Sequence, residues 1–167
     1  PEGEDINFIV TSDHGMASTS PERIIRLSDY LKPDWCERIL VDLPTLIFPR
    51  EGYEDDILKA LKQVPHLRAW RREEVPAYLH YGSNPNVAPI VALPDNGWLV
   101  TESTDVNLGN HGFDPTNSDL YVPFRAEGPD FKHGYVRQTF FDNTCIYPLL
   151  AYLLGIEPAP CAGDIRQ

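Results

Sequence analysis

The stretch Ile6-Asn7-Phe8-Ile9-Val10-Thr11-Ser12-Asp13-His14-Gly15 decides how the chain is read. Its first six residues form a short apolar run rich in β-branched side chains, without the alternation of a half-exposed strand. That pattern is expected of a strand buried on both faces of a parallel sheet. The run stops at Ser12-Asp13-His14-Gly15. In open α/β sheets, ligand sites gather just beyond the carboxyl ends of such strands, so this polar cluster is where chemistry is expected.

Asp13 and His14 are adjacent, and neighbours on a continuing strand point to opposite faces. They can share one metal only if the chain turns after Thr11, and Gly15 permits such a turn. A carboxylate beside an imidazole suits Zn²⁺ better than Mg²⁺ or Ca²⁺, with Mn²⁺ and Fe also compatible. The same tripeptide equally describes a turn closed by an Asx bond. His111 stands in Gly109-Asn110-His111-Gly112. Glycines on both sides let the backbone approach a ligand closely, which fits a presented imidazole better than a packed one. Those four residues also describe an ordinary exposed loop. His66, His80 and His133 lack comparable neighbours and are read as surface or partly packed residues. Ser12, Ser18, Thr19 and Ser20 sit in no GxSxG elbow, so capping and turn roles are expected of them.

Working outward, Ile24 to Leu31 and Ile39 to Phe48 are strand-like and broken by Pro33, Pro44 and Pro49. Glu54 to Val64 is predicted to be a helix. Ile57, Leu58, Leu61 and Val64 mark one face, acids crowd the first turn, and Pro65 stops it. Ile90 to Leu93 and Trp98 to Thr101 flank Pro94-Asp95-Asn96-Gly97, which predicts a hairpin. Leu120 to Arg125 reads as a further strand. Asn143 is expected to cap a last helix, with Ile146, Leu149, Leu150, Leu153 and Leu154 at helical spacing and Gly155 at its end.

The bulk numbers bound the function. At 167 residues with 42% apolar content the chain can bury a core. Twenty-five acidic against 14 basic residues leave a formal charge of -11, which repels a polyanion, so nucleic-acid binding is not expected and an anionic substrate would need bound cations. Three scattered cysteines, Cys36, Cys145 and Cys161, make no disulfide framework, and buried free thiols are the expected reading. No apolar stretch approaches the roughly 18 to 20 residues that span a bilayer.

Taken together, Asn7-Phe8-Ile9-Val10-Thr11-Ser12-Asp13-His14-Gly15-Met16, then Tyr81-Gly82-Ser83-Asn84-Pro85 with Val87-Ala88-Pro89-Ile90, then Gly109-Asn110-His111-Gly112-Phe113-Asp114, resemble the nucleotide pyrophosphatase/phosphodiesterase family of the alkaline phosphatase superfamily. Gly128-Pro129-Asp130-Phe131, Ile146-Tyr147-Pro148-Leu149-Leu150 and Leu154-Gly155-Ile156-Glu157-Pro158-Ala159-Pro160 are similar to the way that catalytic domain closes. The resemblance covers essentially the whole chain.

The resemblance implies an α/β, alkaline-phosphatase-like fold: a partial, mostly parallel sheet flanked by helices, with a small β-rich portion from about residue 24 to 100. Residues 1–167 would be the C-terminal portion of a single catalytic domain. It implies two zinc ions, with Asp13 and His14 ligating the one that also contacts a Thr or Ser nucleophile, and His111 ligating the other. The nucleophile and remaining ligands are expected before Pro1. The fragment alone is then expected to hold an incomplete or empty metal site and to be inactive. The implied reaction is hydrolysis of phosphodiester or pyrophosphate bonds of nucleotides or related small molecules. The implied partners are that substrate and the N-terminal half of the same domain, with self-association through an exposed apolar face. An extracytoplasmic location, periplasmic or secreted, is implied as well. Two alternatives stay open at this point: another enzyme of the superfamily (phosphomonoesterase, phosphonate hydrolase or sulfatase), or a catalytically silent binding module.

Overall fold

A computed structural model describes residues 6–167. In chain order the elements are β1 (Phe8–Val10), β2 (Ala17–Ser18), β3 (Ile24–Ile25), β4 (Cys36–Leu40), β5 (Thr45–Pro49), α1 (Glu54–Leu61), β6 (Leu67–Arg71), β7 (Ile90–Pro94), β8 (Leu99–Val100), β9 (Gly109–Asn110), β10 (Arg125–Glu127) and α2 (Ile146–Leu153). Short 3₁₀ turns punctuate the connections. The chain divides into two compact units, one of residues 14–121 and one of residues 6–13 with 122–167.

The larger unit is organised by a four-stranded antiparallel sheet in the order β4-β5-β7-β6. Its central strand β7 is buried at every position, which explains an apolar run without alternation. β4 and β5 form a hairpin with Ile39 opposite Ile47 and Leu40 opposite Leu46. Helix α1 lays Ile57, Leu58 and Leu61 into a core shared with Ile47, Leu67, Ile90 and Ala92. Each fully buried aliphatic side chain contributes roughly 1.5 to 3 kcal/mol before entropy is charged against it. Acids at the start of α1 also reach the sheet, where Glu54 and Asp55 pair with Arg71 at the end of β6. The predicted helix to Val64 ends as α at Leu61, and i to i+3 bonds such as Val64 N–H to Leu61 C=O tighten its last turn before Pro65.

The hairpin expected around Pro94-Asp95-Asn96-Gly97 does not form. The turn exists, with Trp98 N–H donating to Asp95 C=O and Gly97 at φ +78°. Both edges of β7 are already taken by β5 and β6, so the returning strand has no ladder to join. It pairs instead with β3, Ile24 with Leu99 and Ile25 with Val100, in parallel.

In the smaller unit β1 pairs antiparallel with β10 through Phe8 opposite Glu127 and Val10 opposite Arg125. Within these 167 residues the strand is not buried on both faces as expected: Phe8 is 66% exposed and Val10 62%. The mostly parallel sheet is likewise not what the described residues build, since β3 with β8 is their one parallel pair. Parallel neighbours need crossover connections, usually helical, and α1 joins β5 to a strand that β7 separates from it. Leu120 to Arg125 is a 3₁₀ turn at Ser118–Leu120 followed by a connection into β10 rather than a strand. No disulfide joins the three cysteines. Among the described residues no helix is long and apolar enough to cross a membrane.

Candidate metal site

In the larger unit, a two-residue ladder brings the segments of His14 and His111 together. Ala17 of β2 lies opposite Asn110 of β9, and Ser18 opposite Gly109. Because the pair is antiparallel, stepping back from Ala17 towards His14 runs the same way as stepping forward from Asn110 to His111. The two imidazoles stack, with ring centroids 3.7 Å apart and planes 18° from parallel. His14 Nδ1 lies 2.8 Å from the Gly15 carbonyl oxygen. A carbonyl only accepts, so Nδ1 donates in this contact, and Nε2 is the nitrogen through which the neutral ring would ligate a metal.

The backbone around each ring is fixed from behind. Gly15 N–H donates to Leu120 C=O at 3.0 Å and Met16 N–H to Asp119 C=O at 2.9 Å. A Cβ on Gly15 would fall 2.2 Å from the Asp119 carbonyl oxygen. The need for glycine there is therefore one of space, since Gly15 is not among the positive-φ glycines. Gly112 does need its freedom, with φ +90° and a Cβ position 2.8 Å from the Leu43 carbonyl oxygen. Phe113 is buried with Ala17 and Leu99.

Asp114 then closes the segment. Its Oδ2 accepts from Arg68 Nη2 at 2.9 Å and from the Tyr78 hydroxyl at 2.7 Å. Its Oδ1 accepts from the Thr116 hydroxyl at 2.7 Å and the Thr116 N–H at 3.0 Å. Burial pushes the carboxyl's pKa up, but the bonds from Thr116, Tyr78 and Arg68 outweigh it and hold the group well below the ordinary carboxylate value. A folded-state pKa depressed in this way adds stability that is present above the unfolded value of about 3.9 and is lost as pH falls through the folded one. Acid unfolding followed between about pH 4 and pH 2 should accordingly show a steeper loss of stability in the wild type than in Asp114→Asn. Equal slopes would mean that the carboxylate is not held as described.

In the smaller unit, Asp13 closes the segment that continues β1. Asn143 Nδ2 donates to the Asp13 carbonyl oxygen at 2.7 Å and to that of Ser12 at 3.4 Å. Its expected role as the cap of the last helix is corrected: the 3₁₀ turn Asn143–Cys145 precedes α2, Cys145 is the residue at the helix start, and neither turn nor helix has a side-chain cap. Sequence reading named His14 and His111, and the structure brings these two together. It did not assign Asp114, Arg68, Tyr78 or the tether from Asn143. Asp114 stood inside the quoted Gly-Asn-His-Gly-Phe-Asp motif, and that proximity was the available signal. Among the described residues no three His, Cys, Asp or Glu side chains gather into a complete metal cage.

Sequence comparison places the chain. A model of the family described as type I phosphodiesterase / nucleotide pyrophosphatase matches residues 2–114. The chain belongs to that family. Ectonucleotide pyrophosphatase/phosphodiesterase family member 5 of Homo sapiens is 39% identical over 162 residues, which cover 95% of this chain and 34% of that protein. A bis(5'-adenosyl)-triphosphatase of Xenopus laevis is 32% identical over 167 residues, 98% of this chain and 36% of the relative. Among solved structures, murine ectonucleotide pyrophosphatase / phosphodiesterase 5 superposes with a TM-score of 0.88 at 37% identity, over 96% of this chain and 43% of the other. An inactive variant of the same murine protein, solved in complex with AMP, superposes with a TM-score of 0.87. The chain thus spans about a third of the length of the curated relatives it matches.

Proposed function

We propose that the chain supplies Asp13, His14 and His111 as ligands to a pair of zinc ions in a hydrolase of phosphodiester or pyrophosphate bonds. The observation that carries this is the stacked pair of imidazoles, 3.7 Å apart, with the His14 ring oriented by the contact of its Nδ1 with the Gly15 carbonyl. That spacing lies within the roughly 3.5 to 4 Å separation of paired catalytic metals, so parallel rings suit ligation of two neighbouring ions, one each. When bound, such ions polarise a phosphoryl oxygen and lower the pKa of a hydroxyl nucleophile. The chain's own residues hold the rings in place: Gly15 against Asp119 and Leu120, and Gly112, Phe113 and Asp114 behind His111.

The nucleophile, a Thr or Ser, is supplied in this reading by the part of the family's catalytic domain outside these 167 residues. The same remainder would cover the exposed apolar side chains of the smaller unit, among them Phe8, Val10, Leu150 and Leu154. A net charge of -11 supports the need for cations if the substrate is a nucleotide, and the AMP complex of the murine neighbour supports that substrate class. An extracytoplasmic location, periplasmic or secreted, belongs to the same proposal and rests on the family resemblance alone.

The test presents the full-length protein, in zinc-containing buffer, with a p-nitrophenyl ester of a nucleotide, p-nitrophenyl phosphate and p-nitrophenyl sulfate side by side. Nitrophenol should appear fastest from the nucleotide ester. Preference for the monoester or the sulfate would move the site to another chemistry, and no release from any of the three would end the enzymatic reading.

A further inference from the structure

We infer that Asp114 is a positioning residue for His111, holding through Arg68 and Tyr78 the loop from which that imidazole faces His14. Two fixed points bracket His111. On its N-terminal side is the ladder of β9 with β2, and on its C-terminal side is the carboxylate of Asp114, three residues on. The backbone between them has no slack, because Gly112 lies against the Leu43 carbonyl and Phe113 is buried.

The clamp is built to hold direction as well as place. Asp114 is only 18% exposed and takes donors on both oxygens. Oδ1 closes a local turn onto Thr116, which sets the carboxyl plane relative to its own backbone. Oδ2 reaches out to two different elements. Arg68 stands on β6, an outer strand of the four-stranded sheet that packs on α1. Tyr78 comes from the 3₁₀ turn Ala77–Leu79, and its hydroxyl also lies 3.3 Å from Arg68 Nη1. The sheet needs none of these bonds for its own ladder, which is complete from Leu67 to Arg71. Their effect is on the loop, which they tie to the four-stranded sheet through Arg68 and to the turn that carries Tyr78. Partners that orient a ligand from behind typically alter metal affinity by 10- to 100-fold when removed.

This inference rests on the zinc reading above for one arm of its test only. The first arm needs no metal: with ¹³C-labelled imidazoles in the metal-free full-length protein, the cross-relaxation between the His14 and His111 rings is compared among wild type, Asp114→Asn and Tyr78→Phe. The second arm measures Zn²⁺ affinity of the same variants in the full-length protein. Ile57→Val, which loosens the core under α1 without touching the loop, serves as the control for lost stability. The expected result is a weakened ring-to-ring signal in both loop variants, zinc affinity lower by about tenfold, and neither change in the control. Rings that part while the wild type binds no zinc would uphold the positioning role and overturn the zinc reading. An undisturbed ring signal in folded Asp114→Asn and Tyr78→Phe would overturn the positioning role, and so would an equal loss in the control. Should Asp114→Asn fail to fold, Tyr78→Phe decides alone.

Discussion

Replacing His111 by Ala is expected to lower hydrolysis of a p-nitrophenyl nucleotide ester by the full-length protein by at least about a hundredfold, since even the groups behind a metal ligand are worth 10- to 100-fold. The ring is half of the stacked pair, and its loss leaves His14 without that stacked imidazole. The fold should not suffer, because His111 is exposed and its backbone is held by glycines, Phe113 and Asp114 rather than by its own side chain. Substitutions at exposed positions usually shift stability by no more than about 0.5 kcal/mol. Activity and stability therefore separate cleanly at this residue. Turnover that survives the change intact would remove His111 from the site.

The second large effect concerns folding. Gly15→Ala is expected to cost about 3 kcal/mol, from overpacking of 1 to 3 kcal/mol together with weakened hydrogen bonds worth about 1 kcal/mol each. The added methyl would lie 2.2 Å from the Asp119 carbonyl oxygen and 2.8 Å from the Leu120 Cα, both backbone atoms that cannot swing aside like a side chain. Relief requires the two strands of chain to part, and the bonds from Gly15 N–H and Met16 N–H cross that same gap. Urea unfolding should show a lower midpoint at unchanged slope. A midpoint equal to that of the wild type would show that the contact is looser than described. Because His14 precedes this glycine, a folded variant should also show a displaced ring.

How far these features could be read from sequence depended on whether their causes were local. Helix α1 was legible because its apolar face, acidic first turn and following proline lie within a dozen residues. The imidazoles of His14 and His111 were paired by resemblance to a family, not by spacing, since they stand 97 positions apart in the chain. The false hairpin at Pro94 to Gly97 had correct turn chemistry, and what defeated it was the occupation of both edges of β7 by strands distant in sequence. β1 shows the same limit from the other side. Its composition predicted burial on both faces, yet burial depends on neighbours, and within the described residues it has one partner strand, β10. Asn143 was misread because Asn before a helix usually caps it, whereas this side chain spends its amide on the carbonyls of Ser12 and Asp13.

The two-rung ladder between Ala17–Ser18 and Gly109–Asn110 makes residue counting part of the chemistry. The ladder fixes where each flanking segment leaves the ribbon, so a single residue inserted between His14 and Ala17, or between Asn110 and His111, would displace one imidazole from its mate. The open turn at Glu51 and Gly52, where nothing lies within 4 Å of the place a Cβ would occupy, has no such arithmetic to keep. Insertions and deletions that leave the protein folded should therefore sort by address, silent at that turn and ruinous in the few residues beside the ribbon.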